Sequence, residues 1–143
     1  MKKIIFTLLI LSVLLASCAT KPAGITDDTF NRIYDKYFDK LILEGAQTYT
    51  VVSGDTLSKI SGQYFENEYY YPVIMLASRN EVVDPDKIQP GMNLTIINLE
   101  ANLADNGARA AIKGVIHDCE PIERERRPEG HGADALKALA GSL

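Results

Sequence analysis

The residues of this 143-residue chain whose types could carry out chemistry are few: two histidines, two cysteines and clusters of acids. His117 and Cys119 stand two positions apart, and a thiol beside an imidazole is how a cysteine nucleophile is activated. Their setting argues against it, because both fall at an expected helix end and the roughly 45 residues after Asn98 are too few for a papain-like catalytic domain. His117, His131 and Cys119 lack any standard metal-ligand spacing. Glu123 and Glu125 lie among arginines in "ERERRPEGHG" and read as a solvated surface. No catalytic residue, metal or cofactor is expected, so the chain reads as non-enzymatic. What remains is the stretch "YTVVSGDTLSKI", residues 49–60, where Gly54, Asp55 and Thr56 divide a strand-like half from a helix-like half. Gly54 supplies a turn that a side chain would hinder. Asp55 reads as the N-cap of the following helix, accepting from an N–H near Ser58.

The elements that position this turn follow from the hydrophobic pattern. Residues 49–52 are β-favouring, and Leu57, Ile60 and Tyr64 fall on one helical face. A second short helix is expected over 72–78, with Pro72 in its first turn, where proline costs no hydrogen bond. The run "DPDKIQPGMN", residues 84–93, is rich in turn formers, and Pro90 and Gly91 aim a closing strand over 94–97 with Leu94 and Ile96 on one face. The order strand, helix, helix, strand makes an α+β unit over residues 48–98. Before it, over 27–45, Asp27 or Asp28 caps a helix bearing Phe30, Ile33, Tyr34, Tyr37, Phe38, Leu41 and Ile42, which Gly45 ends. This aromatic stripe reads as packing on the body of the protein rather than on a partner. After it, over 99–143, Asp105 or Asn106 caps a helix carrying Ala108, Ala111, Ile112, Val115 and Ile116, weakened by Gly107 and Gly114. The charged stretch from Glu123 separates it from a last helix over 133–140 with Leu136 and Leu139 inward. Neither helix is stable alone, so both are expected to pack on the central unit or the first helix.

The start of the chain has a separate meaning. Lys2 and Lys3 precede an apolar run over residues 4–16, too short for a bilayer span of roughly 20 residues, as in a secretory signal peptide. "LASC", residues 15–18, resembles the lipobox of bacterial lipoproteins. That resemblance implies cleavage after residue 17 and a diacylglycerol on Cys18, with acyl chains (palmitate among them) anchoring an exported protein to a membrane. With Ala19 rather than aspartate after the lipid site, it implies the periplasmic face of the outer membrane in an organism that has one, and otherwise the outer face of the cytoplasmic membrane. Residues 18–26, small and polar, read as a tether. Without Lys2 and Lys3, thirteen basic residues face nineteen acidic ones, a formal charge of −6 that disfavours nucleic acid. With Cys18 lipidated, Cys119 has no partner for an internal disulfide and reads as a buried apolar residue.

The central unit resembles a LysM domain. The match lies in "YTVVSGDTLSKIS", in Tyr64, in "YPVIMLASRN" and in "DPDKIQPGMNLTI", which together cover about a third of the chain. The resemblance implies a βααβ fold with a two-stranded antiparallel sheet, here flanked by N-terminal and C-terminal helices. It also implies binding of glycans containing N-acetylglucosamine, such as cell-wall peptidoglycan, in a shallow groove between the loop after the first strand and the loop before the second. One wall would be Gly54, Asp55, Thr56 and Leu57, and the other Val83, Asp84, Pro85 and Ile88. The sequence departs from the family pattern at Asn98, where proline is common, and at Ser61, where alanine is common. The expectation is a carbohydrate-binding lipoprotein that links membrane to wall. The alternative is a lipid-anchored scaffold whose terminal helices bind a protein partner.

Overall fold

The structure, a computed structural model, describes residues 27–143. The expected signal peptide, the expected lipidation at Cys18 and the expected tether lie outside the described residues. Strands β1 (Gln47–Thr50) and β2 (Asn93–Ile96) pair antiparallel, Gln47 opposite Ile96 and Thr50 opposite Asn93. The first strand begins two residues before the β-favouring run, but its pairing reaches Val51, which donates to Met92 O at 2.9 Å and accepts from Gly91 N at 2.8 Å. Gly91 takes φ +94° at that corner, a conformation that favours glycine.

Two strands alone are marginal in water, and this sheet is covered on one face. Leu94 and Ile96 point inward and are buried, whereas β1 contributes mainly Tyr49, whose ring meets that of Tyr64 edge-on at 5.8 Å. Between the strands lie α2 (Leu57–Phe65), a 3₁₀ turn (Glu68–Tyr70) and α3 (Tyr71–Ala77). Helix α3 is apolar all round because it is buried all round, with α2, β2 and a later helix against it. Ser61, unlike an alanine, donates from Oγ to Asn67 O at 2.7 Å and so ties α2 to the turn that follows it.

The helical flanks complete the core. Helix α1 (Asp27–Tyr37) buries Phe30, Ile33, Tyr34 and Tyr37, so its aromatic stripe packs on this chain itself. It is shorter than the sequence pattern suggested: a 3₁₀ turn (Phe38–Lys40) follows, Leu41 is extended, and Gly45 (φ +74°) shapes the turn before β1 instead of ending the helix. The reason lies far along the chain. Asn102, fully buried, accepts from Ile42 N at 2.9 Å and donates to Ile42 O at 2.9 Å, holding that segment extended as a strand neighbour would. Asn102 belongs to α4 (Leu99–Ala104), a six-residue helix with too few turns to show a period. Asn98, where the family commonly has proline, caps it by accepting from Ala101 N at 3.0 Å.

Helix α5 (Asn106–Arg126) is capped by Asp105, as one of the two expected residues, and runs past the helix end expected near His117 and Cys119. Pro121 lies inside it, a cost of about 3 kcal/mol in an isolated helix. Burial of Cys119 and Ile122 on either side, and packing of α6 (Gly132–Ser142) along the same helix, offset that cost. Gly114 also has a use that helix propensity hides: a Cβ there would lie 2.5 Å from Tyr37 Cζ, so the glycine admits the tyrosine ring. The ring's hydroxyl then donates to Asp118 Oδ2 at 2.8 Å. Gly114→Ala gains about 1 kcal/mol of helix propensity but overpacks a contact costing about 1 to 3 kcal/mol. The expected outcome is a net loss of stability in urea unfolding, whereas the same change at Gly141, with open space around it, raises stability or leaves it unchanged.

Candidate functional site

Two loops stand at the same end of the sheet. In the first, Gly54 (φ +91°) turns the chain and Asp55 locks it: Asp55 Oδ2 accepts from Val52 N at 2.9 Å and from Tyr49 Oη at 2.7 Å. Those two bonds hold the Asp55 carboxyl below its ordinary range, and the second pushes the Tyr49 hydroxyl up. The N-cap of α2 is therefore Thr56, not Asp55; Thr56 Oγ1 accepts from Lys59 N at 3.2 Å. The expected cap was one residue early because the aspartate bonds backwards, closing the turn, and leaves the helix end to its neighbour. Leu57 is core, and Lys59 Nζ returns to Gly54 O at 2.9 Å.

The second loop is gripped from behind. Asp84 caps a 3₁₀ turn (Pro85–Lys87) by accepting from Asp86 N at 3.0 Å. Although aspartate is rarely buried, Asp84 is 6 % exposed, and its two oxygens take a fork of bonds from Arg126 in α5 at 2.7 and 2.9 Å. Arg126 reaches Asp86 Oδ2 at 2.8 Å as well, and its guanidinium lies 5.1 Å from the centre of the Phe30 ring in α1. Tyr34 of α1 donates to Val83 O at 3.4 Å. The charged stretch that read as solvated surface is thus partly structural, with Arg126 and Glu123 half-buried or less exposed still. The Arg126 bonds bring the Asp84 carboxyl down to about 2, against the pull of burial.

Between the loops lies a groove of about 260 Å³. Thr56, Leu57 and Ser58 line one side, Pro85 and Asp86 the other. Of the eight residues placed on its walls from the sequence, Thr56, Leu57 and Pro85 line it directly. Gly54 and Asp55 shape the first loop, Asp84 anchors the second, and neither Val83 nor Ile88 is among the lining residues. Tyr69, Tyr71, Glu123, Arg127 and Gly132 also line it, and sequence reasoning missed all five. Tyr69 and Tyr71 carried a visible signal as an aromatic cluster beside Pro72, while nothing local marks Glu123, Arg127 or Gly132. A larger depression of about 610 Å³ opens at the opposite end of the sheet, beside Tyr64, Ile97 and Leu103, far from either loop.

His117 and Cys119 do not form a nucleophile pair. Cys119 is 3 % exposed and burial pushes its thiol up to about 12, whereas the His117 side chain is exposed and meets Asp118. As expected, the cysteine serves as a small apolar core residue.

The loop geometry, the βααβ order and the sequence agree with one class: residues 49–96 match the LysM domain family, and this part of the chain is a LysM domain flanked by helices. LysM domains are in general binding modules rather than catalysts, with N-acetylglucosamine polymers such as peptidoglycan as their ligands. Among curated proteins, the chain is similar to the potassium binding protein Kbp of Escherichia coli, 49% identical over 51 residues, which make up 36% of this chain and 34% of that one. It is also similar to an uncharacterized protein of Deinococcus radiodurans, 44% identical over 52 residues, 36% of this chain and 20% of the relative. The chain thus spans about a third and a fifth of the lengths of these relatives. No solved structure matches.

The Arg126–Asp84 pair has a pH signature. A carboxyl held near 2, below the ordinary value of about 3.9, adds stability that is complete above pH 4 and is lost as pH falls through 2. Arg126→Met takes the guanidinium from buried Asp84, leaving it the Asp86 N–H and Lys87 Nζ at 3.6 Å, and is expected to cost about 3 kcal/mol at pH 7. At pH 2 the cost shrinks, because Asp84 is then substantially protonated in both proteins. Urea unfolding of wild type and variant at the two pH values measures the difference; a pH-independent cost would assign the loss to packing on Phe30 instead.

Proposed function

We propose that this protein is a lipid-anchored, non-catalytic receptor for glycans containing N-acetylglucosamine, tying a membrane to the peptidoglycan beside it. The observation that carries the reading is the LysM domain itself, with its two loops facing each other across a groove large enough for a sugar. The chemistry suits such a ligand. An N-acetylated sugar offers hydroxyls and an amide to the polar groups of Thr56, Ser58 and Asp86, and a ring face and methyl to Pro85 and the tyrosines. A groove this small gives modest affinity at one site. An anchor beside the wall raises the effective concentration and makes modest affinity sufficient. Support for the anchor is the "LASC" sequence ending the basic-then-apolar start, and the proposed location is a membrane surface facing the wall. The second loop offers no free carboxylate pair for the potassium binding named for the E. coli relative, since Asp84 and Asp86 are held by Arg126 and Arg127.

Three measurements test this reading. Residues 19–143, purified without lipid and shown to be folded, are expected to sediment with purified peptidoglycan, and absence from the pellet would end the glycan reading. In cells, wild-type protein is expected to incorporate labelled palmitate and the Cys18→Ala variant none; equal labelling would place any lipid elsewhere. Asp55→Ala is expected to lower the melting temperature as well as glycan retention, because the carboxylate acts through the turn it closes.

A further inference from the structure

The groove between the two loops is walled on a third side. Where it meets the C-terminal helices, Glu123 and Arg127 of α5 and Gly132 of α6 line the same cavity. Arg127 bridges the gap between helix and loop: it donates to Glu123 Oε2 at 2.7 Å and to Asp86 Oδ1 at 2.5 Å. Glu123 cannot easily swing aside. Its side chain is 13 % exposed, Tyr71 Oη lies 3.4 Å from its Oε2, and a Cβ added to Gly132 would approach its Oε1 to 2.7 Å. The first turn of α6 therefore stands directly behind the bridge. The volume of this open-sided groove, about 260 Å³, falls below the roughly 300 Å³ at which sites for small molecules usually begin. That is room for about one sugar ring, not for a run of them.

We propose that the groove receives the terminal N-acetylhexosamine of a glycan strand, and that Glu123, Arg127 and Asp86 determine this specificity by closing one end. The inference rests on the glycan-binding reading above and narrows its ligand to strand ends. A terminal ring carries a free hydroxyl where an internal ring carries a glycosidic bond. That hydroxyl can donate to the carboxylates of Glu123 or Asp86 and accept from Arg127, none of which needs to leave its place. An internal ring would instead carry its next sugar into the position of the bridge, at the cost of separating Arg127 from two carboxylates. Discrimination then comes from the clash as much as from the new bonds.

The test uses residues 19–143 and three β-1,4-linked N-acetylglucosamine hexamers in calorimetric titrations. One is unmodified, one carries galactose on its non-reducing end, and one is an aryl glycoside at its reducing end. Wild-type protein is expected to bind the unmodified hexamer and to lose at least about tenfold in affinity for one of the two capped forms. Arg127→Ala, whose side chain is 49 % exposed and removable without opening the core, is expected to bind all three within about twofold of one another. Equal wild-type affinity for the three hexamers overturns the terminal-sugar inference and leaves glycan binding standing. Failure of wild-type protein to bind any of them removes the glycan reading and this inference together. The wild-type comparison decides the matter even where a variant proves unstable.

Discussion

The pairing of Arg126 with Asp84 is the constraint on which the groove depends. A buried aspartate is unfavourable unless its oxygens are satisfied, and here the fork from Arg126 and the N–H of Asp86 satisfy them. Because the arginine comes from the last turn of α5, the loop before β2 is fixed only when that helix is in place. Phe30 beneath the guanidinium and Tyr34 on the carbonyl of Val83 make α1 part of the same grip. The flanking helices therefore act on the LysM domain rather than accompany it. A loop with four polar turn residues, otherwise free to move, gains one position.

The two walls of the groove are held by different physics. The first is local: Asp55, Tyr49 and Val52 lie within six residues of each other, and Thr56 caps the helix that begins beside it. The second is long-range, with partners 40 to 50 residues away in α5 and α1. Loss of the C-terminal helices therefore loosens the second wall first, while the turn at Gly54 keeps its own hydrogen bonds.

The same division explains what was legible in the sequence. The βααβ order could be read because Leu57, Ile60, Leu94 and Ile96 obey the helical and strand periods, and those residues are buried. Burial of the aromatic stripe of α1 could be read for the same reason, and that of Cys119 from the general tendency of free cysteine to be buried. Three features could not. Helix α4 has six residues and offers no period; only Asn98 marks its start. The end of α1 is set by Asn102, sixty residues away, whose amide replaces a helical continuation with a strand-like one. The extension of α5 through Pro121 runs against local propensity and depends on tertiary packing. At the site, Asp55 was identified correctly as a residue that shapes the corner but was given the wrong bond, since an aspartate before Thr-Leu can bond either forward or backward. Arg126 and Arg127 resembled any other arginine among glutamates, because the aspartates they bind are forty residues upstream.

One contact joins the groove to the proposed anchor. Asp27, the first described residue of α1, accepts from Lys87 Nζ at 2.9 Å, so the chain enters the domain beside the second loop. On the lipidation reading, residues 18–26 are all that separates this point from the acylated cysteine, a reach of at most about 30 Å when fully extended. The groove of such a protein would stay close to the membrane surface, and a glycan would have to approach within that distance to be held. A long, flexible tether would search more of the wall at lower effective concentration. A short one would restrict the search to the nearest strands, where a site of small volume would have its best chance of being filled.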